Sequence, residues 1–327
     1  MSSWQDVLTE VEEHQERSGT WLDQQLAESL ARVGNIRGNQ AGTEGDRMVI
    51  LYGSSFLQRP QTPWGADQIM LEDINGFMAC VHGMRFDQGL TLLLHTPGGS
   101  PNAAETIVNY LRSKFSYVEV IIPAYAMSAG TMISLSANRI ILGRQSQMGP
   151  IDPQMITQFG VVSAQAVVDQ FEQAKKEILS DQALTHVWAP ILPSLGPSLL
   201  QEAGNALAYG ERMVSQWLDN WMLASSTSVE VNGGQGAFDG EPKSLGEIVA
   251  EHFSDTRRHG SHGRRIDRDE ARSYGLVVDE LEQSQELQDA VLRAYHLMTV
   301  MFERSSVIKI IRNSTDGSWI KAHTPPG

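Results

Sequence analysis

One cysteine in 327 residues, Cys80, has no partner for an internal disulfide. That excludes a disulfide-stapled fold and agrees with a reducing cytoplasm, leaving Cys80 the plain role of a small core hydrophobe. Long apolar runs are missing too. No stretch nears the roughly 18 residues a membrane helix needs. The N-terminal MSSWQDVLTEVEEH is acidic and lacks the basic-then-apolar order of a secretory signal. A cytoplasmic protein without a membrane span is therefore expected. Positive charge is in deficit: 25 Lys and Arg against 39 Asp and Glu give a formal charge of −14. This argues against a broad nucleic-acid or anionic-membrane surface, so the expected partners are proteins, peptides or small molecules. There is no internal repeat and no long low-complexity tract.

What is present is ordinary globular composition, 41% hydrophobic and 20% charged. Residues 1–45 read as a helical extension and linker. Trp4, Val7, Leu8 and Val11, then Leu22, Leu26, Leu30 and Val33, recur at helical spacing, and the glycine-rich GNIRGNQAGTEGD follows. From Arg47 the pattern changes. MVILYG, GLTLLLHT, VEVIIPA and RIILG are short, β-branched runs alternating with helical stretches at Glu72–His82 and Asn102–Phe115. Such alternation predicts an α/β fold around a buried, mostly parallel sheet, here a domain spanning residues 46–285. A helical insert is expected at about 155–225, broken near Pro190–Pro197. After it come the loop STSVEVNGGQGAFDGEPKSLG and the basic, histidine-rich DTRRHGSHGRRI. In IDRDEARSYGLVVDEL, Asp267 and Glu270 predict a capping box, and Gly275 ends the helix before a strand. Residues 286–327 read as a helix and a tail, with a strand pair turned at Asp316-Gly317.

Two strand-to-helix turns carry candidate chemistry. In His95-Thr96-Pro97-Gly98-Gly99-Ser100-Pro101 the glycines allow backbone geometry closed to other residues, Ser100 suits a helix cap and Pro101 its first turn. Outward N–H groups of such a turn can bind an oxyanion. In Ala126-Met127-Ser128-Ala129-Gly130, Ser128 stands at a helix N-terminus, either as a cap or as a nucleophile, with Ala129 and Gly130 leaving room for a substrate. Two such turns on neighbouring strands bring a hydroxyl and an anion site together at the carboxyl ends of the sheet, where α/β folds bind ligands. Their pairing favours the nucleophile.

LLLHTPGGSPNAAETI, followed by AYAMSAGTMISLSANRIIL and MGPIDPQ, resembles the Clp/crotonase superfold, most closely the serine dehydrogenase proteinase family. That family is similar to the Clp protease proteolytic subunit and to signal peptide peptidase A. EARSYGLVVDEL is similar to the ending of these domains. The resemblance implies a Clp/crotonase-like spiral of ββα units and a serine protease, a hydrolase in which Ser128 attacks a peptide carbonyl. The N–H groups of Ala129 and of Gly99 or Gly98 would then hold the oxyanion. It implies no cofactor and no metal, a peptide or protein substrate and a homo-oligomer, and it leaves an unfoldase or other protein partner open.

A serine hydroxyl needs a base within hydrogen-bond reach. The positions that correspond to the Clp histidine and aspartate fall near Pro150 and Gly263, which cannot act. By resemblance to signal peptide peptidase A the base is a lysine kept neutral by an apolar pocket, here Lys175 or Lys176. Val168, Phe171, Ala174, Lys175 and Ile178 share one helical stripe, which favours Lys175. The alternative is a triad of Ser128, Asp152 and His262, terms in which the serine dehydrogenase proteinase family is described. Two further readings stand beside the peptidase: a crotonase-type acyl-CoA enzyme using the same oxyanion hole, and a catalytically inert scaffold.

Overall fold

A computed structural model describes residues 4–14, 18–42, 45–158, 160–191, 198–225 and 243–324. Most of the expected loop STSVEVNGGQGAFDGEPKSLG and most of the break at Pro190–Pro197 lie outside the described residues. The strands are β1 (Met48–Ser54), β2 (Leu90–His95), β3 (Val118–Ile122), β4 (Tyr125–Ala126), β5 (Arg139–Leu142), β6 (Gln147–Met148), β7 (Gln154–Thr157), β8 (Gly160–Ser163), β9 (Val278–Glu280), β10 (Val307–Asn313) and β11 (Ser318–Ala322). The helices are α1 (Trp4–Glu13), α2 (Ser18–Ala41), α3 (Ile74–Val81), α4 (Pro101–Arg112), α5 (Ala129–Leu135), α6 (Ala164–Ser180), α7 (Thr185–Trp188), α8 (Leu199–Trp217), α9 (Leu245–Ser254), α10 (Thr256–His259), α11 (Arg268–Ser273) and α12 (Gln285–Arg304).

The chain folds as α/β around a seven-stranded sheet of order β11-β10-β1-β2-β3-β5-β9. β1, β2, β3, β5 and β9 run parallel, and the tail adds β10 and β11 antiparallel at one edge. The β-branched runs are apolar throughout because both faces are covered. Side chains alternate across the sheet with period two. Ile50, Leu92, Leu94, Val120 and Ile140 face α3, α4, α5, α8 and α9. Val49, Leu51, Leu93, Ile121 and Ile141 face α1, α2 and α12. Leu22, Leu26 and Leu30 of α2 are sealed in this second layer, each contributing roughly 1.5–3 kcal/mol of burial. The N-terminal helices are therefore a structural layer of the sheet itself.

Three local expectations change. The glycine-rich segment after Val33 is the last part of α2, not a linker, as far as Ala41. A β-carbon on Gly34 would stand 2.6 Å from the Arg47 carbonyl oxygen, and one on Gly38 would meet residues 45–47. These glycines let the entry to β1 lie directly on the helix, a packing need that reads in sequence as flexibility. The insert opens as a hairpin, β7 with β8, before α6. Asp267 caps α11 by accepting the N–H groups of Asp269 and Glu270. The Glu270 carboxylate, however, takes Arg264 and the Tyr274 hydroxyl instead of closing a capping box. The tail pairs as expected, β10 against β11. Cys80 is buried, and burial pushes its thiol up to about 12, as suits a core hydrophobe.

Candidate active site

The parallel strands deliver two turns to the same end of the sheet. After β2, Gly98 (φ 103°) and Gly99 (φ 151°) adopt backbone angles that disfavour any residue with a β-carbon. A β-carbon on Gly98 would stand 2.7 Å from both the Met127 carbonyl oxygen and Ser128 Cβ, so the glycine lies directly against the serine turn. Ile69 holds this stretch from the other side: its N–H donates to Gly98 O at 2.8 Å, and its carbonyl accepts the Ser100 N–H at 2.9 Å. This is a one-residue parallel bridge between Ile69 and Gly99. In such a bridge the flanking groups make the bonds, which leaves the Gly99 N–H facing away from Ile69. No acceptor takes that N–H among the described residues. The Gly98 N–H, in contrast, already donates to Thr96 Oγ1 at 3.1 Å. Of the two expected glycine donors, Gly99 is the one available. Ser100 accepts the Ala103 N–H at 3.3 Å and Pro101 opens α4, as their order in the chain requires.

The second turn is stitched to the first. Met127 N–H donates to Thr96 O at 3.1 Å, and Thr96 N–H to Tyr125 O at 2.9 Å. Ser128 has φ 50° and ψ −116°, and it is the one non-glycine residue at positive φ among the described residues. Holding a side chain there costs on the order of 1–3 kcal/mol. The half-buried hydroxyl does not cap α5 and has no hydrogen-bond partner. The cap reading of Ser128 is thereby removed. Ala129 opens the helix, and its N–H has no intrahelical acceptor. Gly130 serves packing instead of substrate access: a β-carbon there would stand 2.5 Å from Thr96 Cγ2.

Downstream of α5 the chain returns as Gly149-Pro150-Ile151-Asp152. Met148 and Ile266 exchange both N–H···O bonds at 2.9 Å, which brings the histidine-rich loop beside this segment. Gly149 sits between Met127 and the loop: a β-carbon on it would stand 2.5 Å from Met127 Cε and 3.7 Å from His262 O. His262 Nδ1 lies 2.7 Å from Asp152 Oδ1, with Asp152 closed to solvent and His262 partly exposed. A carboxylate on Nδ1 holds the proton there and leaves Nε2 as the accepting nitrogen. Gln154 donates to the other carboxylate oxygen at 2.6 Å. Buried His259 meets the His252 carbonyl at 2.8 Å, and Arg264 meets Glu270 at 2.6 Å, so the loop is anchored on both sides of His262. These anchors were missed in the sequence. Gln154, the last residue of MGPIDPQ, and Glu270, the first of EARSYGLVVDEL, lay inside recognised motifs, but not for these contacts.

Neither candidate lysine is buried. Lys175 is 67% exposed and faces Glu172 at 3.8 Å, and Lys176 is exposed as well. The buried positions of α6 are Ala164, Val167 and Ala174, a stripe narrower than its apolar residues suggest, because the helix packs mainly on α8. The desolvated pocket expected for a neutral lysine base is absent at both. His95 is fully buried among Phe56, Tyr125 and Tyr295 with neither ring nitrogen hydrogen-bonded. Burial drops its pKa to about 3, so it is neutral. Among the described residues no group of three or more His, Cys, Asp or Glu is placed to hold a metal ion, and no helix is long and apolar enough to cross a membrane.

Parts of this chain are similar to known proteins. Two Methanocaldococcus jannaschii proteins, the uncharacterized MJ0137 and MJ1495, are each 35% identical over 116 residues, 36% of this chain. The chain spans 39% and 38% of their lengths. Among solved structures, a point mutant of ClpP1 from Listeria monocytogenes matches 73% of this chain and 94% of its own at 13% identity, with a TM-score of 0.34. Residues 67–189 match the model of the ClpP-like SDH-type serine proteinases. That segment holds both turns, Ser128 and Asp152, and it ends before His262. It is through this segment that the chain carries the signature of the ClpP-like SDH-type serine proteinases, the family its motifs resemble.

Proposed function

We propose that the protein is a serine endopeptidase in which Ser128 is the nucleophile, His262 the general base and Asp152 the residue that orients it. Ser128 Oγ attacks the scissile carbonyl carbon while its proton passes to His262 Nε2, and the carbonyl oxygen becomes an oxyanion. The N–H groups of Gly99 and Ala129 stabilise that charge, the second aided by the helix N-terminus. Collapse breaks the C–N bond, His262 returns the proton to the leaving amine, and water then hydrolyses the acyl-enzyme by the same route. The observation that carries the reading is the strained Ser128, which caps nothing and lies against Gly98 beside a free Gly99 N–H. The 2.7 Å contact between His262 and Asp152 supports the choice of base over Lys175. The structure records no hydrogen bond between Ser128 and His262, and such bonds commonly tighten only when substrate is bound.

The reading extends to a cytoplasmic homo-oligomer acting on peptides or unfolded protein. A fluorophosphonate reagent tests the chemistry. Wild type should gain one adduct, located on Ser128 by peptide mass, and Ser128→Ala should gain none. A folded wild-type protein that resists the reagent and cleaves no peptide would return the field to the acyl-CoA enzyme or the inert scaffold. Light scattering tests the assembly.

A further inference from the structure

Lys309 lies between Ile308 and Ile310 in β10, and its side chain is fully buried. Its ammonium donates to Asp73 Oδ1 at 2.8 Å, Asp73 Oδ2 at 3.1 Å and the Gln68 carbonyl at 2.6 Å. Asp73 is equally buried. It accepts the Tyr52 hydroxyl at 2.8 Å and the Met70 N–H at 3.0 Å. Every donor on the lysine is used, so the cluster has no free donor for a ligand.

The two backbone groups that this pair holds, Gln68 C=O and Met70 N–H, flank Ile69. Ile69 in turn fixes Gly98 and Ser100, the neighbours of Gly99. The path thus runs from the C-terminal hairpin to Gly99 through two sets of hydrogen bonds joined by the backbone of residues 68–70 and 98–100. A β-carbon on Gly99 would stand 2.5 Å from Ile69 N, so the two backbones are in direct contact and a shift of one moves the other. Burying an ion pair is costly and frequently no more stabilising than an apolar pair of the same shape. Its distinctive property is a fixed geometry of charge-assisted bonds.

We infer that Asp73 and Lys309 are positioning residues for the oxyanion hole: the pair clamps residues 68–70 and thereby sets the direction of the Gly99 N–H. The inference rests on the peptidase reading above and names a part of the site that the serine motif does not contain. Removing the clamp should slow steps in which negative charge develops on the bound oxygen and leave other chemistry at Ser128 unchanged.

The test compares wild type with the double variant Asp73→Asn, Lys309→Met, which removes both charges at nearly constant volume. Below the unfolding temperature, labelling by a fluorophosphonate, which places charge in the oxyanion hole, should slow about 10–100-fold, with kcat falling likewise and KM changing little. On a Ser128→Cys background, alkylation by iodoacetamide develops no oxyanion, and its rate at residue 128 should be the same with and without the clamp. A general loosening of the site would instead move both rates. Should the double variant not fold, Tyr52→Phe keeps both charges, removes one bond to Asp73 and should slow phosphonylation about threefold. Wild type labelled on Ser128 while the folded variant reacts at the wild-type rate, or both rates shifted together, overturns the clamp alone. Wild type unreactive at Ser128 overturns the peptidase reading and the clamp with it.

Discussion

Asp152 holds His262 Nδ1 at 2.7 Å with one carboxylate oxygen, and its other oxygen is held by Gln154 at 2.6 Å. A buried carboxylate satisfied in this way is fixed in direction, and so is the imidazole it orients. The histidine comes from a loop more than a hundred residues later in the chain, carried to Gly149 by the bridge between Met148 and Ile266. The proposed triad would use this fixed Asp152–His262 pair, and its consequences are measurable.

Ser128 bears backbone strain that its function would explain. Glycine relieves a positive φ, so Ser128→Gly should abolish peptidase activity and raise stability by about 1 kcal/mol, the strain relieved less the added chain entropy of glycine. Ser128→Ala keeps the β-carbon and should melt near wild type. Thermal unfolding of the three proteins checks this. A Ser128→Gly protein less stable than Ser128→Ala would mean that the turn is not strained.

Arg37 of α2 ties the N-terminal layer to the sheet through the buried carboxylate of Glu119. Arg37 donates to both oxygens of Glu119 at 2.7 Å, and Thr91 adds a third bond at 2.6 Å. Burial pushes the Glu119 pKa up, but the bonds and charge of Arg37 outweigh it and hold the carboxyl below its usual range. Arg37→Met leaves that buried carboxylate the Thr91 and Tyr117 hydroxyls and, as its nearest cation, Arg47 at 3.9 Å, and should cost about 3 kcal/mol. Adding Glu119→Gln should restore most of the loss. Denaturant unfolding of the single and double variants reads both effects.

His95 makes stability pH-dependent. Its folded pKa of about 3 lies below the ordinary 6.5, so between those values the unfolded chain binds a proton that the folded chain refuses. The contribution is complete above pH 6.5 and is lost as pH falls toward 3, at roughly 1.4 kcal/mol per unit, about 2 kcal/mol by about pH 5. His95→Phe, a ring among rings, should remove that share of the slope. Urea unfolding at pH 7 and at about pH 5 measures it, and equal slopes in variant and wild type would contradict the assignment.

Much of the sheet was legible because apolar β-branched runs have few other uses, and both turns were legible because glycine, proline and serine fall in a fixed order around them. Two features were hidden for physical reasons, and a third was offered only through the family resemblance. Gly34 and Gly38 are packing glycines inside a helix, and composition alone cannot separate those from linker glycines. Lys175 follows Ala174 on a helix with a narrow buried stripe, and a helical projection gives the direction of a side chain but not what stands opposite it. The approach of His262 to Asp152 depends on a long-range strand bridge, which no local pattern encodes.

The most direct test of the account is the identity of the base, measured as kcat/KM on one peptide substrate for His262→Ala and Lys175→Ala. The account predicts a loss of about 10³-fold or more for His262→Ala and less than about twofold for the exposed Lys175→Ala. A Lys175→Ala protein that is inactive while His262→Ala retains wild-type turnover would contradict it.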